Sequence, residues 1–345
     1  MTNPNAYRSD RLRWSSVTCR RQSRYSLARL PTVTIAHLNL PPPQVPNNSK
    51  KNTGIPMSLA NLDPSIYDEL HKLAQNGTAS AVLPAESWLD EQTALFRENF
   101  GPAVLERSDD ETLLQLMHGR QNADAPCMVY WLEFKHDEQF KGNEFGGIRG
   151  GSAFKFGIYQ RDVDGAWITG SPRGQVVLSL EQAIEIARGQ RKELVDAANV
   201  LARFKPSDAS DAVYKRLDAD IRAAAPTLCR AGWAHKYWFL HFPDKIDGYH
   251  SSRVQRYHLL RLLQLPPDNI GVRDDDGASL FVCAGRFVQI ARVLSIPAAA
   301  LCILLNQRNG IDGERGLVRM RTFIPDGVTR TSSKDCVRAS TQTAR

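Results

Sequence analysis

The stretch SLEQAIEIARGQRKELVDAANVLARFKP, residues 179–206, divides the chain into two kinds of sequence. Ser179 and Gln182 stand at capping-box spacing. In that motif the serine hydroxyl accepts from the third helical amide and the glutamine side chain reaches back to the cap. The pattern predicts a long helix through about Phe204, stopped by Pro206, which cannot continue it. Upstream, CMVYWLEF (127–134) and AFKFGIYQ (153–160) have the β-branched and aromatic content of strands. Asp164-Gly165 ahead of AWIT predicts a hairpin into a third strand. Downstream, helices are expected at about 209–224, 228–240, 249–264, 279–294 and 297–306. The fold class is therefore α+β: a small β-sheet flanked and followed by a helical, bundle-like region, with disordered termini.

Before the strands, Ile66, Leu70 and Leu73 mark one amphipathic helix, and Trp88, Leu89, Leu95 and Phe96 a second. Ser108 and Glu111 suggest another capping box, ahead of LLQLM. Four regions result: a disordered basic tail over 1–56, an α+β region over 57–206, a helical region over 207–310 and a disordered or aberrant tail over 311–345. The first tail is rich in Arg, Ser, Asn and Pro; a start at Met57 or an organellar transit peptide would each account for it.

Charge follows the same division. The net charge of +7 suggests nucleic acid. Yet residues 1–56 hold nine Lys/Arg against one acid, and 307–345 hold eight against four, so 57–306 carries a net −5. A basic total thus says little about a DNA-binding face. The six cysteines form no CxxC pair, and Cys127, Cys229, Cys283 and Cys302 read as small buried hydrophobes of a reducing compartment. No apolar run reaches the ~18 residues of a membrane helix, so a soluble, cytoplasmic protein without membrane contact is expected.

Three segments invite chemistry. GGIRGGSAFK (146–155) has glycines at phosphate-loop spacing, but Ser152 occupies the position of the essential lysine, so it reads as a turn between strands. Glu133 and Lys135 form an E-x-K pair at the end of an expected strand, where period-2 geometry would set both on one face. Such a pair serves metal-dependent nucleases, with Asp124 or Asp110 as a second metal ligand. FVQIARVLSIPAAALCILLN (287–306) has helix-turn-helix apolar spacing. Its second helix offers Pro297, Ala298, Ala299, Cys302 and Ile303, which cannot hydrogen-bond to bases, so a buried helical hairpin is the better reading.

The segment GWAHKYWFLHFPDKIDGYHSSRVQRYHLLRLLQ (232–264) concentrates Trp233, Trp238 and the histidines 235, 241, 250 and 258. The histidine intervals match no zinc module, and no metal or other cofactor is expected. Aromatics with imidazoles and cations suit a platform on which a base could stack, and Trp233, His235, Lys236, Tyr237, His250, Arg253 and Arg256 are the candidate nucleic-acid contacts.

Taken together, VYWLEF, GGIRGGSAFKFGIY, Trp167 to Gly170, WAHKYWFLHFPDKIDGYHS, LFVCAGRFVQIARVLSIP and LLNQRNG resemble the N-terminal region of large bacterial AAA-type ATPases. These are similar to the nucleotide-driven subunit of methylcytosine-dependent restriction enzymes. The resemblance covers about 129–310 and brings no catalytic residues with it. It implies a non-enzymatic recognition or regulatory module of a DNA-defence system. The expected partners are DNA, modified or foreign, or a separately encoded ATPase or nuclease subunit. The chain lacks Walker A and Walker B motifs, and truncation or frameshift near Gly310 would explain both their absence and the unpatterned tail. A metal-dependent endonuclease and a pure protein-interaction module are the alternatives.

Overall fold

The computed structural model describes residues 62–80, 82–119, 127–135, 145–148, 153–161, 163–205, 208–267 and 279–309. All of them belong to one unit, Gly54–Arg345. The tails expected to be disordered lie outside the described residues, as does Asp124.

In chain order the helices are α1 (Pro64–Ala79), α2 (Glu86–Phe100), α3 (Pro102–Arg107), α4 (Asp110–His118) and α5 (Met128–Tyr130). A π turn, Trp131–Lys135, continues α5, and a 3-10 turn, Ala153–Phe156, precedes the sheet. The strands are β1 (Ile158–Gln160), β2 (Trp167–Thr169) and β3 (Val176–Val177). Then follow α6 (Leu180–Arg203), α7 (Asp211–Ala224), α8 (Gly232–His241), α9 (Ser252–Arg261), α10 (Ala284–Leu294) and α11 (Ala298–Asn309). The architecture is α+β, with a small antiparallel sheet in the order β1-β2-β3.

Helix α6 organises the rest. Its capping box forms as the sequence predicts: Gln182 N–H donates to Ser179 Oγ at 3.2 Å, and Ser179 N–H donates to Gln182 Oε1 at 2.9 Å. Ala183, Ala187, Gln190, Leu194, Ala198 and Leu201 are buried, and their three- and four-residue steps trace one face. Three of these six are alanine, and α3, α4, α7, α8 and the sheet all pack around this one rod. A single apolar cluster runs from Leu62 to Leu305. Residues 57–206 and 207–310 therefore share one core, and the boundary expected at 206 falls between helices of the same domain.

The hairpin at Asp164-Gly165 forms, with Tyr159 opposite Ile168 and Gly165 at φ 70°. Three local expectations are corrected. Residues 127–134 are not a strand but α5 and its π turn, with Met128 through Glu133 buried. A short run that is apolar except for Glu133 has no periodicity to separate a buried strand from a buried helix, and packing of Trp131 on Phe96 and Phe100 decides it. Of 153–160, only the last three residues are strand, because Gly157 at φ 86° separates the 3-10 turn from β1. The Ser108–Glu111 box does not form. Ser108 Oγ donates back to Val104 O, and the start of α4 is held by Arg188 on α6, which donates to Asp109 at 2.8 Å and Asp110 at 2.6 Å.

The 287–306 segment forms α10 and α11, bent by 96° at Ser295, which takes the left-handed turn conformation. Ala298, Ala299 and Cys302 are buried, in keeping with the expected helical hairpin. Among the described residues, no single helix is long and apolar enough to cross a membrane.

Candidate functional site

Helix α8 has no polar face. Every residue from Trp233 to His241 is buried, including His235, Lys236 and His241. The helix passes through the centre of the molecule, between α6 and α2, so its polar side chains must find partners inside. Three of them find main-chain carbonyls. Trp238 Nε1 donates to Leu194 O at 3.0 Å on α6, and Tyr237 OH donates to Phe100 O at 3.1 Å at the end of α2. His241 Nδ1 donates to Tyr237 O at 2.8 Å, one turn back.

The FPDKIDGYH turn between α8 and α9 continues the pattern. Lys245 Nζ donates to Leu201 O at 2.7 Å and Ala202 O at 3.1 Å, supplying donors at the C-terminus of α6, where a cation also suits the helix dipole. Tyr214 OH donates to Lys245 O at 2.7 Å, and Tyr249 OH donates to Cys302 O at 3.2 Å. Asp247 is buried; among the described residues it accepts from Tyr249 N–H at 2.7 Å and Gln255 Nε2 at 2.8 Å. Burial raises its carboxyl pKa to about 7, and those two hydrogen bonds only partly oppose the rise.

The histidine pair follows from the same logic. Phe145 O can only accept, so His250 Nε2, 2.7 Å away, carries a proton. His250 Nδ1 is then a lone pair and accepts from His235 Nδ1–H at 2.9 Å. Both rings are neutral: burial lowers the His235 pKa to about 3 and that of His250 well below the ordinary imidazole value. His258 is likewise neutral, accepting from Asn309 Nδ2 at 2.8 Å and stacking on Tyr249 at 4.5 Å. His118 donates from Nε2 to Gln190 Oε1 at 2.6 Å, while Gln190 Nε2 donates to Phe156 O.

The glycine-rich segment reaches this pair directly. Gly146 has φ 76°, and a Cβ there would lie 2.0 Å from Gly248 O and 2.6 Å from His250 Nε2. Gly232 is similarly confined, with a Cβ meeting His250 O at 2.6 Å. These glycines therefore serve close backbone approach around His250 and not, among the described residues, an anion cradle. Gly146→Ala is expected to destabilise the protein by about 3 kcal/mol, combining backbone strain with a clash onto main chain. A urea titration would show it, and an unchanged midpoint would count against the close approach.

The structure separates the candidate nucleic-acid contacts into two sets. Trp233 and Lys236, each 3% exposed, lie in the core with His235 and Tyr237, and His250 is largely enclosed. Trp233 stacks on Phe156 and meets the edge of His118. None of these five presents a face on which a base could stack. Arg253 is exposed and Arg256 partly so, on α9.

The E-x-K pair falls on a helical turn and not on a strand, and the Lys135 side chain lies outside the described residues. Glu133 and Lys135 lie on a π turn, where alternate positions do not share a face. The carboxylate instead binds a different lysine: Lys155 Nζ donates to Glu133 Oε1 at 2.6 Å and to Ile148 O at 2.9 Å. Neither the phosphate-loop nor the turn reading of GGSAFK singles out Lys155, because its partner Glu133 lies 22 residues away. Asp110 is bound by Arg188 at the start of α4. Among the described residues, no three His, Cys, Asp or Glu side chains converge as a metal site.

One cleft of about 400 Å³ lies between α2, the end of α10 and the first turn of α11. Leu89, Phe145, Val288 and Ile296 form its apolar wall, with Glu86, Asp90, Asp244 and Arg292 around them. The chain matches no family model, no curated protein and no solved structure.

Proposed function

We propose that this chain is a non-enzymatic recognition or regulatory module of a DNA-defence ATPase of the AAA type, acting in the cytoplasm through a partner ATPase or nuclease subunit. The observation that carries the reading is the fate of the 232–250 polar groups. Tyr237, Trp238, His241, Lys245 and Tyr249 are committed to main-chain carbonyls, and His235 and His250 to one another and to Phe145. A catalytic imidazole needs a pKa near the working pH. The buried imidazoles instead stay neutral far below it. The net −5 over 57–306 favours a protein partner over a phosphate backbone.

Direct DNA binding is the second reading, supported by exposed Arg253 and partly exposed Arg256 on α9. Co-expression of the full chain with an AAA-type ATPase subunit of a DNA-defence system separates the two. The expected result is a stable complex that persists in high salt. Duplex binding that discriminates methylated from plain DNA, weakens with salt and is lost in Arg253→Ala/Arg256→Ala would overturn it in favour of the DNA reader. Magnesium-dependent nicking abolished by Glu133→Ala would overturn both in favour of a nuclease.

A further inference from the structure

Two helices give the cleft beside the α10–α11 bend matching faces. Glu86, Leu89, Asp90 and Thr93 come from α2; Val288, Ala291, Arg292 and Ser295 come from α10 and its C-cap. Both sets step by three, one and three residues, the spacing of a single helix face. In both, the apolar members are buried, while Glu86, Asp90 and Arg292 are exposed, as is Asp244 from the turn after α8. The cleft thus has apolar walls and a charged rim. Its volume of about 400 Å³ falls within the roughly 300–1,000 Å³ of small-molecule sites.

The walls are fixed from behind. Phe145 packs its ring against Trp88, with centroids 5.9 Å apart, and its carbonyl accepts from His250 Nε2 at 2.7 Å. Ser295 N–H donates to Arg292 O and Ile296 N–H donates to Ala291 O, each at 3.1 Å, which closes α10 at the bend. A ligand entering this cleft meets walls already in place, which lowers the cost of ordering them on binding.

Charge is divided unevenly along the rim. Arg97 acts electrostatically on Asp244 first and on Asp90 second. Arg292 and Asp244 both act on Tyr214, so one end of the cleft holds Asp244 with cations beside it. Glu86 lies three helical turns from Arg97 along α2, about 16 Å, and with Asp90 forms the acidic end. Like charges at this i,i+4 spacing destabilise a helix, and a cation seated between them relieves the repulsion. The C-terminal end of α10 and the N-terminal end of α11 meet at the bend, so their dipoles offset and side-chain charge sets the sign.

We propose that this cleft binds a small apolar cation, an aromatic or branched aliphatic body carrying a protonated amine. The body lies against Leu89, Val288 and Ile296, and the ammonium group sits between Glu86 and Asp90. The site stands independently of the partner-subunit reading, because neither α2 nor the α10–α11 bend enters it.

Saturation-transfer NMR on the full chain, titrated at neutral pH with phenethylamine, tests the proposal. The amine is expected to bind in about the millimolar range, as suits so few atoms. Hydrocinnamate, with the same body and the opposite charge, should bind several-fold more weakly, and so should methylamine, which has the charge without the body. Glu86→Gln/Asp90→Asn should weaken phenethylamine binding roughly fivefold and leave the Tm unchanged, because both side chains are exposed. Absence of phenethylamine binding would overturn the proposal. Equal binding of hydrocinnamate would remove the role of charge, and equal binding of methylamine would reduce the site to surface acids; either result overturns it, as does an affinity unchanged in the double variant.

Discussion

Acidification from pH 7 to pH 5 is expected to unfold the protein in a single cooperative step. The cause is five buried neutral imidazoles. Burial lowers the pKa of His118 and His241 to about 4, of His235 and His258 to about 3, and of His250 well below the ordinary value. The sign follows from proton uptake. Below an unfolded pKa of about 6.5 the unfolded chain binds protons that the folded chain refuses, so stability falls as pH falls. At pH 5 each imidazole costs roughly 2 kcal/mol, because the folded form is still neutral one and a half pH units below the unfolded pKa. Five together approach roughly 10 kcal/mol, the size of a whole domain's stability.

Asp247 acts in the opposite direction. Its folded pKa of about 7 lies above the unfolded value, so it destabilises the fold at and above neutral pH and is relieved as pH falls through 7. One carboxyl offsets only roughly 2 kcal/mol of the histidine loss by pH 5. Tryptophan fluorescence and far-UV circular dichroism across pH 8 to 4 would follow the transition. A native tryptophan spectrum retained at pH 4.5 would show that these imidazoles are not buried as described.

Trp233→Ala should cost about 3–5 kcal/mol, the loss for deleting a large aromatic from a packed core. For a domain of this size that corresponds to a fall in Tm of about 10 °C. Trp233 is buried on α8, with its ring against Phe156 and the edge of His118, and no neighbour on a rigid helix can fill the space. The same change separates two roles for this residue. A base-stacking platform would lose nucleic-acid affinity while its Tm moved little. A core residue loses stability first, and any binding defect follows from unfolding.

Much of the fold was legible because its signals are local. The capping box at Ser179 and Gln182 depends on four consecutive residues, and the Asp164-Gly165 hairpin on two. Helix α6 and the α10–α11 hairpin follow from spacing alone. Where the signal was weak, the reading failed in a consistent way. CMVYWLEF is apolar at every position but Glu133, so its neighbours Phe96 and Phe100, about 30 residues away, determine that it is helical. Ser108 satisfied the capping-box pattern, yet Arg188, 78 residues from Asp110, holds the helix start.

The candidate site shows the same division more sharply. The sequence by itself determined that aromatics, imidazoles and cations gather between 232 and 264, that glycines gather between 146 and 151, and that acidic residues outnumber basic ones over 57–306. Composition of this kind describes side-chain types and not their surroundings. Only the tertiary structure decided that α8 runs between α6 and α2, so that Trp238 and Tyr237 meet a carbonyl of each helix. Only it decided that Glu133 binds Lys155 and that Gly146 lies against His250. The physical reason is burial: an imidazole or indole has the same chemistry at the surface and in the core, and long-range packing alone sets whether that chemistry is spent on the fold or offered to a partner.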